Sequence, residues 1–386
     1  MRAHRHAMDS AARVAGSFAG VAAQPLVALL LVTLLLGVAI GYTAVSLLNL
    51  PPRRAKAAAE AAAAAVITLA GSGTAGFADG TRAAVRFNQP RALAPLPGGS
   101  VVVADTDNHC IRLIAAGGGS ASTLAGKGGE RGFADGSAAE ARFNYPCGVI
   151  AGADGAVFVA DTDNHRVRRI KDGAVTTFAG SGKLGGADGI GAAASFNGPS
   201  SLALGPGGVL YVTEYFGHRV RMISPAGAVT TLAGNGEFGY ADGRGAAACF
   251  RGPTGIAVDA AGVVFDADHF TSRIRRITNG VVDTLEGKGD GAAAHYYLPG
   301  GLALDPATGH LLVASRGNHR ISTIDPRSGV VAMLAGSGSE GSSDGDAAAA
   351  SFNRPCGIAF DAQGGILVAD ADNHRVRRIV RRIASS

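Results

Sequence analysis

Five similar short motifs combine side chains that could bind a metal ion. Three have the full form Asp-x-Asp-Asn-His, at residues 105–109, 161–165 and 370–374, and two weaker forms end at His218 and His319. An EF-hand calcium loop requires Gly at its sixth position, where the second motif has Arg166. Short polar side chains also hydrogen-bond the backbone of turns, and a recurring motif favours that structural role. We assign this structural role to the following motif residues: Asp105, His109, Asp161, His165, His218, His319, Asp370 and His374.

Arginine-rich segments follow these motifs and could contact phosphate or RNA. Arg166, Arg168 and Arg169 are an example. However, the first 65 residues carry six basic and two acidic side chains, whereas the other 321 carry 29 basic and 28 acidic ones. Nucleic-acid binding by the main domain is therefore not expected, because it depends on an excess of positive charge. We expect Asp residues to neutralise many of these arginines, which would lie at solvated sheet edges.

The motifs belong to a unit that occurs six times from residue 66 onwards. A Thr-Leu-Ala-Gly sequence or close variant begins each copy, with spacings of 55, 54, 54, 53 and 49 residues. An Asp-Gly pair, an aromatic residue and a Pro follow in order, and the loop holding them is about 19 residues long in the first copy. Loops on a rigid scaffold are frequent binding surfaces. The copies of the Asp are Asp79, Asp135, Asp188, Asp242, Asp290 and Asp344.

The sequence of each unit also predicts four short strands. In the second copy these are residues 148–152, 157–160, 166–171 and 175–179, which are rich in Val, Ile and Thr. Val167 and Ile170 are three residues apart, which predicts a bulge or strand exit there. Repeated four-stranded units are typical of an all-β six-bladed β-propeller. The last copy lacks its fourth strand, so we expect residues 65–70 to supply it and close the ring.

The N-terminal region has a different character. Residues 26–48 are almost wholly apolar, and as a helix they would extend about 34 Å, enough to span a bilayer. We predict a tail (1–24), a single-pass transmembrane or signal-anchor helix (25–50), an Ala-rich stalk (51–65) and the propeller (66–386). Cleavage of the segment and organellar targeting stay open. Basic residues flank the apolar segment on both sides, so the positive-inside rule favours a propeller in the cytoplasm only slightly.

The repeat resembles the NHL repeat, named for Asn-His-Leu, although Arg or Cys replaces Leu here. The resemblance rests on the Asp-x-Asp-Asn-His motif, the preceding Pro-x-Gly and the following Arg-Val/Ile-Arg-x-Ile, and it extends from residue 66 to about 382. It implies a six-bladed propeller. Most members of the family are binding or scaffold modules, and a minority are lyases or resemble lactonase and strictosidine-synthase-like propellers.

The function that we expect is a membrane-anchored, non-enzymatic scaffold that binds a protein or small molecule through its loop-rich rim. The candidate rim residues are the six Asp residues named above together with His295 and Tyr297, which lie in the copy that departs most from the repeat. No cofactor is expected. The rival hypothesis is a metal-dependent hydrolase or lyase similar to lactonase, strictosidine synthase or an amidating lyase. In it, the five motif histidines would converge on the propeller axis.

Overall fold

The computed structural model describes residues 64–288 and 296–381. Six antiparallel sheets, the blades of a β-propeller, make up this part of the chain. Among the described residues, none of the helices has the length and apolar character needed to cross a bilayer. The predicted tail, the transmembrane segment at 25–50 and the stalk up to residue 63 lie outside the described residues.

Four strand positions recur in every blade. The innermost strands are β3 (Pro90–Pro95), β8 (Pro146–Ala151), β13 (Pro199–Leu204), β18 (Pro253–Val258), β22 (Pro299–Leu304) and β27 (Pro355–Phe360). The second strands are β4 (Val101–Asp105), β9 (Val157–Asp161), β14 (Leu210–Glu214), β19 (Val264–Asp268), β23 (Leu311–Ser315) and β28 (Ile366–Asp370). The third strands are β5 (Cys110–Ile114), β10 (Arg166–Lys171), β15 (Arg219–Ile223), β20 (Arg273–Thr278), β24 (Arg320–Ile324) and β29 (Arg375–Arg381).

The outer strands complete the sheets. They are β1 (Ala64–Ala70), β6 (Ser120–Ala125), β11 (Ala174–Ala179), β16 (Ala228–Ala233), β21 (Val281–Leu285) and β25 (Val331–Ala335). Two-residue strands extend five blades: β2 (Gly80–Thr81), β7 (Gly136–Ser137), β12 (Gly189–Ile190), β17 (Gly243–Arg244) and β26 (Gly345–Asp346). Short 3-10 turns occupy Arg82–Ala84, Thr106–Asn108, Thr162–Asn164, Gly191–Ala193, Pro206–Gly208, Gly245–Ala247, Arg316–Asn318 and Ala371–Asn373.

The ring closes through the start of the propeller, as predicted. Strand β1 pairs antiparallel with β29, with Ile67 opposite Arg378 and Thr68 opposite Arg377. It therefore forms the fourth strand of the sixth blade. This pairing covers the free edge of β29, which would otherwise be open to pairing with another chain. The bulge predicted for the third strand is not found there, because β10 pairs with β9 without a shift. The register between β10 and β11 does shift between Val167 and Arg168, but the extra residue is Phe178 of β11.

The core lies between successive blades. Val102 and Ala104 of the first blade pack in one cluster with Val157 and Val159 of the second. Val101 and Val103, on the other face of the same sheet, pack with Leu367 of the sixth blade, so both faces of the sheet are buried. The aromatic residue of each long loop adds to this core: Phe87, Phe143, Phe196, Phe250 and Phe352 are fully buried. Burying one such side chain stabilises the fold by about 1.5–3 kcal/mol, so these residues anchor their loops.

One buried carboxyl group in the fourth blade does not fit this pattern. Asp266 is fully buried, and neither of its oxygens has a hydrogen-bond partner within the described parts of the chain. Burial, followed by repulsion from Asp268, raises its pKa well above the usual range. The other five blades place a buried valine here: Val103, Val159, Val212, Val313 and Val368. Asp266 therefore opposes folding.

We expect Asp266→Val to raise the free energy of unfolding by about 1–3 kcal/mol, because it removes an unsatisfied buried polar group. A folded-state pKa above the unfolded one makes stability fall as pH rises, so the gain should be larger at pH 7 than at pH 5. Urea unfolding at both pH values measures it. Asp268→Val, two residues away, should instead destabilise the protein because Arg275 loses a partner at 3.1 Å. Equal losses in the two variants would contradict our interpretation.

Candidate functional site

One end of the propeller carries both the long loops and the motif turns. In an antiparallel blade, the connection from the fourth strand to the next first strand and the turn from the second to the third lie at the same end. We call this end the loop face. It holds the turns at Thr106–Asn108, Thr162–Asn164, Arg316–Asn318 and Ala371–Asn373. Most of the candidate residues predicted from sequence belong to this face or its rim.

The candidate rim aspartates are held by buried arginines of their own blades. Each carboxylate lies 2.5–2.9 Å from a guanidinium whose side chain is fully buried, while the Asp side chains are 41–52% exposed. The pairs are Asp79–Arg112, Asp135–Arg168, Asp188–Arg221, Asp242–Arg275 and Asp344–Arg377. The same carboxylates accept hydrogen bonds from the Thr of the Thr-Leu-Ala-Gly motif, as Asp135 does from Thr177. These ion pairs bear out the expected neutralisation. Asp290 and His295 lie outside the described residues.

Each of these arginines also pairs with a second, fully buried carboxylate at 2.7–3.2 Å. The partners are Asp105, Asp161, Glu214, Asp268 and Asp370. Burial raises the pKa of Asp105 and of Asp161 to about 6, against the opposing effects of their hydrogen bonds and arginines. Both groups are therefore ionised at neutral pH. The expectation that the third-strand arginines lie at solvated sheet edges is wrong for Arg168, Arg221, Arg275 and Arg377, which are fully buried. Arg166 and Arg169 of the same strand are partly exposed.

The fifth blade lacks this ionic arrangement. Ser315 and Ser322 stand at the positions of the buried acid and the arginine. Tyr296 replaces the anchoring Phe, and its buried hydroxyl has no hydrogen-bond partner among residues 64–288 and 296–381. Both charged partners have thus been replaced in the same blade, which avoids leaving either charge buried alone.

The motif histidines connect successive blades. His109, His165, His218, His319 and His374 all adopt left-handed backbone conformations. The Nδ1 atom of each accepts a hydrogen bond from a backbone N–H of the next blade at 3.2–3.3 Å. In the fourth blade, the Oγ atom of Ser272 accepts the equivalent bond from the N–H of Leu298. The bond from Gln89 to His374 joins the last blade to the first. The structure therefore places these imidazoles at blade junctions.

This geometry predicts a pH dependence of stability. Nδ1 can accept only in the neutral imidazole, and burial lowers the pKa of His165 below its usual 6.5. A depressed folded-state pKa gives stability that is present above pH 6.5 and lost as pH falls. His165→Asn keeps an acceptor and tolerates the left-handed backbone without titrating. We expect the wild type to lose stability relative to this variant below about pH 6.5, measured by denaturant unfolding from pH 8 to 5.5. Parallel curves would contradict a titrating contact.

A cavity of about 680 Å³ runs along the propeller axis, lined by the six innermost strands. Leu93, Leu202, Ile256 and Leu302 are among the apolar side chains of its wall. Five larger polar side chains line it near the loop face, and they are Arg91, Tyr145, Asp163, Tyr215 and Arg316. The volume is within the range of small-molecule sites, about 300–1,000 Å³.

Arg91 and Arg316 differ from the buried arginines of the blades. Neither forms an ion pair with a carboxylate of the described residues, whereas each of the five blade arginines pairs with two. The buried Nε of Arg91 and of Arg316 lacks a hydrogen-bond partner there, as it does in Arg112, Arg221 and Arg275. Burial raises the pKa of the Tyr215 hydroxyl, and the charges of Arg316 and Arg91 oppose that shift. Gly300 leaves room for the Arg316 side chain, since a Cβ there would lie 3.1 Å from its Cγ and Cδ. We call Arg91, Tyr215 and Arg316 the channel mouth.

Exposed aromatic rings continue outward from Tyr215. Its ring contacts Phe216 at 4.9 Å and Phe270 at 5.8 Å, and Phe270 contacts Phe238 at 6.0 Å between ring centroids. Phe216, Phe238 and Phe270 are 45–54% exposed. We call these four residues the aromatic strip. Tyr297, predicted from sequence, is 56% exposed and lies against Gly317, beside Arg316.

The side of the mouth around Arg91 carries acidic groups. Asp107, Asp163 and Asp372 occupy equivalent turn positions in the first, second and sixth blades. Burial raises the pKa of Asp107, and Arg91 is the first of the charges opposing that shift. Asp372 pairs with Arg354 at 3.5 Å. Across the described ranges, no group of three or more His, Cys, Asp or Glu side chains is placed to hold a metal ion.

The comparison with protein families identifies the repeat. The NHL repeat model matches residues 87–112, 143–170 and 352–379, which are parts of the first, second and sixth blades. The chain thus carries NHL repeats in a six-bladed β-propeller.

Curated relatives of this NHL propeller are longer proteins. It is 29% identical over 280 residues to Protein SUPPRESSOR OF QUENCHING 1, chloroplastic, of Arabidopsis thaliana, covering 66% of this chain and 26% of that protein. It is 29% identical over 325 residues to NHL repeat-containing protein 2 of Bos taurus, covering 72% and 44%. The chain thus spans less than half the length of these relatives. A protein of unknown function from Bacteroides thetaiotaomicron shares the fold, with a TM-score of 0.62, 18% identity and coverage of 82% and 76%.

Sequence reasoning missed the channel mouth of this NHL propeller. Arg91 stands where the other units have Cys147, Ser200, Thr254, Gly300 and Cys356, and Arg316 where they have Thr106, Thr162, Tyr215, His269 and Ala371. A large charged residue at a position otherwise occupied by smaller or uncharged ones was the available signal. The candidate residues of the repeated motif instead have side chains that bond to their own or to neighbouring blades.

Proposed function

We propose that this NHL propeller is a membrane-tethered, non-enzymatic scaffold that binds a small molecule at its loop face. The observation that supports this most directly is the convergence of Arg91, Tyr215 and Arg316 at one end of the axial cavity. Unlike the five arginines buried in the blades, these two have no carboxylate partner among the described residues. A guanidinium group that forms no ion pair with a carboxylate of the described residues can pair with an anionic ligand, so this site is suited to a ligand.

The tether is the apolar segment of residues 26–48, which as a helix would extend about 34 Å. The name of the plant relative includes the word "chloroplastic", which supports organellar targeting as the alternative use of this Arg- and Ala-rich N-terminus. Alkaline extraction of membranes distinguishes the two. A tethered chain stays in the pellet, and release into the supernatant would contradict the tether.

Ligand binding can be tested with a single fluorescent reporter, because the chain contains no Trp. Phe216→Trp places one indole in the aromatic strip of the full-length chain, and Ile67→Trp places one on the outer strand β1, where Ile67 is 41% exposed. Both variants are titrated with phenylacetate, 2-phenylethanol and 2-phenylethylamine, which share a ring and differ in charge. A saturable change in the Phe216→Trp signal with any one of them, absent from Ile67→Trp, supports the proposal.

Two results would overturn the proposed function. One is the absence of any saturable signal with all three probes. The other is stoichiometric calcium or zinc in the purified chain, found by elemental analysis, together with hydrolysis of a lactone substrate. That outcome would support the metal-dependent enzyme instead.

A further inference from the structure

We infer that the channel mouth selects an aromatic carboxylate, with its acid group on Arg316 and Arg91 and its ring against Tyr215, Phe216 and Phe270. This inference rests on the proposed function and names the ligand class for that site. Three features carry it: two guanidinium groups that form no ion pair with a carboxylate of the described residues, the aromatic strip beside them, and the acidic groups near Arg91.

The guanidinium groups favour an anion. Arginine presents a planar set of N–H donors that matches a carboxylate in a two-bond arrangement. The five blade arginines show what satisfies such a group in this fold: Arg168 donates to two carboxylates and to the carbonyls of Ala134 and Arg142. Arg316 has neither kind of carboxylate partner in the described chain. A ligand acid group would supply it.

The aromatic strip favours a ring. Tyr215 contacts both Phe216 and Phe270, and the two Phe side chains are 53% and 45% exposed. Close packing holds these rings in place. A Cβ on Gly252 would lie 2.9 Å from Phe270 and 3.3 Å from Tyr215. Exposed rings that are held in place beside a cavity can stack on a planar ligand, and such stacking stabilises a complex by more than the burial of apolar area alone.

The acidic side sets the orientation. Asp107 lies near enough to Arg91 for its charge to act on that guanidinium, so Arg91 is partly neutralised. Arg316 lies in the fifth blade, and the charges that act on Asp107 and Asp163 include Arg91 but not Arg316. Asp372, of the neighbouring sixth blade, pairs with Arg354. Repulsion from these carboxylates directs an anionic group towards Arg316. We therefore expect Arg316 to contribute more than Arg91.

The experiment uses the full-length Phe216→Trp chain as reporter. We expect phenylacetate to bind at least about tenfold more tightly than phenylacetamide, its neutral isostere, or 2-phenylethylamine. Cyclohexylacetate keeps the charge but not the aromatic ring, and it should bind about three- to tenfold more weakly than phenylacetate. Arg316→Gln should weaken phenylacetate binding about tenfold or more while leaving phenylacetamide binding unchanged.

Arg354→Gln is the matched control. It removes the same charge from the loop face, but Arg354 already pairs with Asp372 and its side chain is 62% exposed. We expect less than about a threefold change in phenylacetate binding, since exposed charges are screened. Far-UV circular dichroism checks that each variant is folded. Preference for the amine or amide, or equal losses in both variants, overturns the inference and leaves the proposed function standing. No binding of any probe overturns both.

Discussion

Arg168→Met is expected to destabilise the propeller by about 3–5 kcal/mol, although it alters one side chain among 35 Lys and Arg. The Arg168 side chain is fully buried and pairs with Asp161 at 2.7 Å. Burial raises the pKa of Asp161 to about 6, which is still below pH 7, so its carboxylate is ionised at neutral pH. Removing the guanidinium leaves this charge in the core without its counter-ion, and two loop carbonyls lose their donors. Guanidinium-induced unfolding monitored by circular dichroism measures the loss.

The neighbouring residue gives the control. Arg169 is 38% exposed and lies 3.9 Å from Asp154, which is 54% exposed, so Arg169→Met should cost about 0.5 kcal/mol or less. The double variant Asp161→Leu/Arg168→Met should recover much of the loss, because it removes both charges together. The fifth blade, with Ser315 and Ser322, already lacks the pair. Similar losses for Arg168→Met and Arg169→Met would show that the buried pair does not stabilise the blade.

Much of the architecture could be predicted because it is repeated. Six copies of ordered turn and strand residues predict six blades, and the missing fourth strand of the last copy predicts the closure by β1. The spacing of Val167 and Ile170 predicts an irregularity in β10, but a regular strand explains it. The two side chains pack in different clusters on opposite faces of the sheet. Burial on both faces hides the alternation on which a strand prediction depends.

Burial on both faces of a sheet also explains why the sequence wrongly predicted some third-strand arginines to lie at solvated edges. Arg166, Arg168 and Arg169 are indistinguishable by composition, yet only Arg168 is buried. Its burial requires the loop carbonyls of Ala134 and Arg142 and the carboxylate of Asp135 to meet it. These loop positions depend on tertiary packing, which local sequence does not specify. The channel mouth has the same origin, because the ring brings residues 91, 215 and 316 together from three blades.

Val66→Asp is expected to destabilise the protein by at least about 4 kcal/mol, and it tests the closure of the ring directly. Val66 is fully buried on β1, opposite Ile379 of the last blade. It belongs to a core cluster that includes Phe352 and Ile321. An aspartate here must either bury a charge without a partner or detach β1, which would leave β29 as an open edge. We therefore expect both a loss of stability and concentration-dependent aggregation, measured by thermal unfolding and light scattering.

The adjacent residue separates closure from a general effect of charge on this strand. Ile67 points to the other face, is 41% exposed, and lies opposite Arg378. Ile67→Asp places the same charge one residue further along, and it should change stability by no more than about 0.5 kcal/mol. If β1 is the fourth strand of the last blade, the two variants must differ because their side chains face opposite ways. Equal tolerance of both substitutions would mean that this strand does not close the ring.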